Sequence, residues 1–99
     1  MSELEQKLKA FAEKQTQAFS VDLDENVNLS IGYYPADGYI IADMLDVEKV
    51  HLLRSKLECE LWEKPTTAVK LAIFTEMIDE MKKQYEKRFN YNFQSKTPQ

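Results

Sequence analysis

The chain has 99 residues, of which 43% are apolar and 30% charged, and its net charge is −4. This is enough sequence for one folded domain, and with only 2 glycines and 3 prolines it lacks the many turns of an all-β sandwich. The single cysteine, Cys59, excludes an internal disulfide and a cysteine-built zinc site. No apolar run reaches bilayer length, and the acidic balance argues against a general affinity for nucleic acid or anionic membrane.

Ser2 and Glu5 have capping-box spacing. Leu4, Leu8, Phe11, Ala12, Ala18 and Phe19 then recur mostly at steps of three and four, which predicts an amphipathic helix over about residues 3 to 18. The first residues carry no basic leader with an apolar run behind it, so no secretory signal is expected, and a reducing cytoplasmic setting is the simplest one.

The period then changes to two. Val27, Leu29, Ile31 and Tyr33 alternate with Asn28, Ser30, Gly32 and Tyr34, the pattern of a strand with one buried face. Pro35-Ala36-Asp37-Gly38 is a turn in which proline presets φ early and glycine takes a positive φ at the end. A hairpin of 27–34 with 39–44 follows, and a shorter third strand at 19–23 is expected beside it, because an isolated hairpin is only marginally stable.

Asp46 has the chemistry to cap a further helix carrying Val50, Leu53, Leu57 and Leu61 on one stripe and ending at Pro65. Thr66 or Thr67 can cap the last helix. It runs about 20 residues through Val69, Ile73, Phe74, Met77, Ile78, Met81, Tyr85 and Phe89. The order α-β-(β)-β-α-α reads as an α+β domain over residues 1–93. It is a small antiparallel meander of two or three strands packed against helices, with a frayed tail over 94–99.

Charge is unevenly spread. Residues 20–48 hold Asp22, Asp24, Glu25, Asp37, Asp43, Asp46 and Glu48 and no base, while Lys82, Lys83, Lys87 and Arg88 gather at the end of the last helix. Acids suit turns and helix starts, and bases suit a helix C-terminus, which accounts for much of the layout. The missing bases over 20–48 still leave an acidic surface that would steer a basic partner.

Candidate chemistry is thin. Asp22, Asp24 and Asn26 have the spacing of the first ligands of a calcium loop, but Val27 and Tyr33 stand where glycine and glutamate are required, so no metal is expected. His51 and Cys59 on one helix would lie about 12 Å apart, too far to act as a nucleophile pair. No phosphate loop or serine–histidine–acid arrangement is present, and neither catalysis nor a cofactor is expected.

The function expected is that of a small acidic interaction domain: an adaptor, inhibitor or regulatory protein, of a kind that would suit a bacterial or phage accessory factor. Its partner would be a protein, basic or itself nucleic-acid-binding, with no direct contact to nucleic acid or membrane. Tyr33, Tyr34, Asp37 and Tyr39 are the candidate anchors, and Asp22, Asp24, Glu25 and Asp43 the steering charges. The alternatives are an acidic decoy of nucleic acid with Asp22 and Asp24 on one face, a homodimer built on the broad apolar helix stripes, and a small ligand-binding domain or enzyme beside His51.

Overall fold

The structure, a computed structural model, describes residues 2–93; the expected tail over 94–99 lies outside them. Helix α1 spans Glu3–Ala12, with the Ser2 hydroxyl accepting from the Glu5 amide at 3.1 Å. It ends six residues before the periodicity predicts. Lys14 takes a left-handed φ of 63°, which turns the chain so that the Lys14 amide donates to the Phe11 carbonyl and the Gln15 amide to the Ala10 carbonyl. These paired bonds satisfy the last helical carbonyls and release Ala18 and Phe19 to a strand.

Four strands follow in sequence order as an antiparallel meander: β1 (Ala18–Asp22), β2 (Val27–Tyr34), β3 (Tyr39–Asp46) and β4 (Leu52–Glu58). The expected third strand is therefore β1, displaced by one residue. A fourth strand replaces the two- or three-stranded meander, and the order is α-β-β-β-β-α-α. The helix expected from Asp46 to Pro65 is not formed: β4 and a short helix α2 (Glu60–Glu63) take its place. Asp46 accordingly caps a turn instead of a helix. Its Oδ1 accepts from the amides of Val50 and His51 at 2.8 and 2.9 Å. His51 precedes β4 and Cys59 follows it, so eight extended residues set them about 26 Å apart.

Helix α3 (Thr67–Phe89) begins with the Thr66 hydroxyl accepting from the Val69 amide. It ends where Asn90 takes a left-handed φ of 52° and the Tyr91 amide reaches back to the Glu86 carbonyl, a conformation asparagine tolerates. Helices α1 and α3 cover one face of the sheet. Val21, Leu29, Ile31, Ile40, Ala42, Met44 and Leu53 point from the strands into a core shared with Leu8, Phe11, Phe74, Ile78, Met81 and Tyr85. At its centre Phe11 is fully buried, with the rings of Phe19, Trp62 and Phe74 5.6–5.8 Å away. Trp62 ties the end of the sheet to α1 by donating its Nε1 proton to the Phe11 carbonyl at 3.2 Å. Lys70 is buried beside it. Its ammonium lies over the Trp62 ring at 5.7 Å and 3.4 Å from the Ala12 carbonyl, where the helix dipole favours a cation. Among the described residues no helix is long and apolar enough to cross a membrane.

Candidate functional site

Among the described residues, none covers the face of the sheet away from the helices. Strand registers place its residues in rows: Tyr34 and Tyr39 with Glu58; Ala18, Gly32, Ile41 and Lys56; Ser20, Ser30, Asp43 and Arg54; Asp22, Asn28, Leu45 and Leu52. A depression of about 640 Å³ opens on it, lined by Ser20, Ser30, Gly32, Tyr34, Asp43 and Arg54 among others. Gly32 lets this surface sink. A Cβ there would stand 2.8 Å from the Tyr34 ring, so the ring folds over bare backbone.

The polar half of the face is held rigid by its own hydrogen bonds. Asn28 donates to Asp22 at 3.1 Å and accepts from the hydroxyls of Ser20 and Ser30. Arg54 grips Asp43 with both ends of its fork, at 2.7 and 2.9 Å, the bidentate geometry that fixes both side chains. The other half is apolar and aromatic: Tyr34, Tyr39 and Ile41, with the Lys56 ammonium 5.3 Å above the Tyr39 ring. The large apolar side chains exposed among the described residues are Tyr34, Tyr39, Val47, Val50, Leu52 and Val69. All but Val69 lie on this face or in the β3–β4 turn at its end.

The structure distributes the sequence-predicted residues unevenly. Asp22, Tyr34, Tyr39 and Asp43 come together on the open face, and Asp37 lies on the rim of its depression. Glu25 is exposed in the β1–β2 turn. Tyr33 belongs to the helix side: it stacks on Trp62 at 4.0 Å and donates to the Glu63 carboxylate at 2.8 Å. That bond, burial and the nearby negative charge push its hydroxyl up to about 12. Asp24 is buried and shapes the turn, accepting from the Asn26 and Val27 amides at 2.8 and 2.9 Å and from the Tyr91 hydroxyl. Asp22 and Asp24 therefore do not share a face. Arg54, Lys56 and Leu52 are the face residues that the helical reading of 46–61 concealed. The alternation of Leu53, Ser55 and Leu57 with Arg54, Lys56 and Glu58 is the signal that marks them.

The turns joining β1 to β2 and β3 to β4 meet at one end of the sheet, where the Val47 amide donates to the Asn26 carbonyl at 2.9 Å. Asp22, Asp24, Glu25, Asp46 and Glu48 thus gather there, while Asp37 sits at the other end. The Asp46 carboxyl is held below the usual carboxylate range, first by the His51 amide, which with the Val50 amide outweighs the opposing effect of burial. A depressed native value means that Asp46 adds stability above its ordinary value of 3.8, a contribution lost as pH falls through the native value. The melting-temperature advantage of wild type over Asp46→Asn should therefore shrink as pH is lowered below 4; an advantage unchanged from pH 6 to 2.5 would refute this role. Cys59 is half-buried, and burial with the neighbouring Glu63 pushes its thiol up, away from the reactive thiolate. Compared with models of known families, with curated proteins and with solved structures, the chain finds no match.

Proposed function

We propose that this chain is an interaction domain that docks a basic protein partner on the open face of its sheet. The observation that carries the reading is the concentration of exposed apolar side chains on that face and its end turn, around a depression with a pre-set hydrogen-bonded floor. Tyrosine in such a position is the residue type that most often anchors an interface. The partner's sign follows from the surrounding charges: Asp22, Glu25, Asp37, Asp43, Glu48 and Glu58 outnumber Lys49, Arg54 and Lys56 on the face and its turns. That balance speeds encounter with a basic surface and rejects an acidic one.

Size distinguishes a partner from a second copy. Four strands at their usual spacing and eight residues at their usual rise span about 19 by about 26 Å, a footprint of about 500 Å² per side. An obligate homodimer buries at least twice the resulting total, whereas a transient heteromeric contact falls in this range.

The test is capture of the partner by the full chain, followed by titration of the purified pair. Tyr34→Ala and Leu52→Ala should each weaken binding by about 30-fold, the effect of removing a central anchor, while leaving the melting temperature nearly unchanged. Affinity should also fall as salt is raised from 50 to 300 mM. Unchanged affinity in both variants would remove the face from the reading. A concentration-dependent dimer in sedimentation, dissolved by the same substitutions, would replace the partner with a second copy.

A further inference from the structure

On the helix side of the sheet, at its acidic end, lies a second and smaller cavity of about 190 Å³. Its walls are the rings of Phe89, Tyr91 and His51, and its rim carries Asp46 and Glu48. His51 is held there by two contacts, its ring 4.6 Å from that of Phe89 and its Nδ1 3.5 Å from the Asp46 carboxylate. Tyr91 is fixed by its hydroxyl bond to Asp24 and by the 5.6 Å edge contact with Tyr85.

Tyr85 gives this cavity its chemistry. It is 1% exposed, packed by the rings of Phe89, Tyr91 and Phe93, and among the described residues its hydroxyl has no hydrogen-bond partner. Yet no buried side-chain oxygen or nitrogen among the described residues is both sealed from solvent and unpaired. The sliver of Tyr85 that remains accessible therefore includes its hydroxyl. Tyr85 lines this cavity, and burial together with the nearby carboxylates of Asp46 and Asp24 pushes its hydroxyl up, so it stays a neutral phenol. A nearly buried hydroxyl that opens into a cavity without a protein partner among the described residues is open to a ligand's hydrogen bond.

The cavity is smaller than the 300 Å³ or so at which sites for whole small molecules begin, so it suits a single chain-like group. Aromatic walls and an acidic rim select a cation. The Tyr85 hydroxyl can accept a hydrogen bond from an ammonium N–H, which a quaternary ammonium lacks. We propose that this cavity binds a primary alkylammonium group, its N–H donated to the Tyr85 hydroxyl, its charge facing Asp46 and Glu48, and its alkyl chain against Phe89 and Tyr91. The group could be carried by a lysine side chain or by a free polyamine. The cavity lies on a different side of the sheet from the open face, shares only the β3–β4 turn with it, and needs no partner docked there.

The experiment is an amide NMR titration of the full isotope-labelled chain at fixed ionic strength, with n-butylammonium and, as the neutral isostere, 1-butanol. Butylammonium should produce saturable shifts at Asn26, Glu48, His51 and Tyr91, and butanol at the same concentration should not. Tyr85→Phe keeps the ring and removes only the hydroxyl. It should weaken butylammonium at least tenfold, the effect of losing a hydrogen bond to a charged group. Glu48→Gln, an exposed change with little risk to folding, should weaken it about threefold. Two further arms, 1,4-diaminobutane and a doubly blocked peptide with one lysine, present the same group from the two sources, and the tighter of them identifies the source. The proposal is overturned if butanol reproduces the shifts, if Tyr85→Phe binds within twofold of wild type, or if none of the three amines saturates.

Discussion

Ser55→Pro should cost about 3 kcal/mol, whereas Lys56→Pro, one residue further on, should cost about 1 kcal/mol or less. The contrast follows from the parity of β4. The His51 carbonyl accepts from the Asp46 amide at one end of the strand, and the Cys59 amide donates to the Gly38 carbonyl at the other. Odd-numbered residues therefore turn their backbone groups toward β3, and Ser55, opposite Ala42, is among them. Proline at 55 removes a ladder donor and sets its ring against β3. Lys56 turns its amide to the free edge, where proline is tolerated, and the residue before it is already extended. If 46–61 were a helix, both substitutions would break it, each by about 3 kcal/mol. Denaturant titration of the two variants checks this directly, and equal losses would remove β4, and with it the Leu52, Arg54, Lys56 and Glu58 edge of the open face.

This test is needed because residues 50–57 fit both periods. A step of four residues is close to one helical turn and also an even step along a strand, so Leu53 and Leu57 share a face in either structure. Val50 and Leu53, three apart, then tip the pattern toward the helix, although Val50 lies in the turn and is 66% exposed. The hairpin of β2 and β3 was free of this ambiguity. Its alternation runs unbroken over Val27–Tyr34, and the turn depends on a glycine, Gly38, whose φ of 83° is the kind expected there. The end of α1 carried no such mark, because Lys14 occupies the left-handed position where glycine usually signals the stop. The same reasons govern the candidate site. Tyr34 and Tyr39 were legible as a cross-strand pair, and strict alternation sends the adjacent Tyr33 to the opposite side. Arg54, which closes on Asp43, was hidden by the helical reading of its own segment. The Tyr85 cavity was hidden differently: it is assembled from Asp46, Glu48 and His51 on one turn, Tyr85 and Phe89 on α3, and Tyr91 just beyond it, and that proximity exists only once the chain has folded.

Phe11→Ala should cost 3–5 kcal/mol, a large share of the 5–15 kcal/mol by which a domain of this kind is stable. The melting temperature should fall by more than about 12 °C. Phe11 is fully buried and touches three other rings, so truncation leaves a void that no single neighbour can fill without leaving its own contacts. Trp62→Phe tests a different link in the same cluster. It retains an aromatic ring against Phe11 and Tyr33 but removes the Nε1 donor, so the Phe11 carbonyl keeps only its bond from the Lys14 amide, at a cost of about 0.5–1.5 kcal/mol. Because Phe11 and Trp62 are in contact, a double-mutant cycle of Phe11→Ala with Trp62→Ala by denaturant unfolding should show a coupling of about 0.5–1.5 kcal/mol. Strict additivity would mean that the ring contact contributes nothing beyond burial. A loss below 1 kcal/mol for Phe11→Ala would mean that α1 does not close the core, and the helical layer that leaves the opposite face of the sheet free would have to be redrawn. Tyr34→Ala, on that free face and 46% exposed, should by contrast change stability by less than about 0.5 kcal/mol. The two tests together separate the residues that hold the sheet from those it presents.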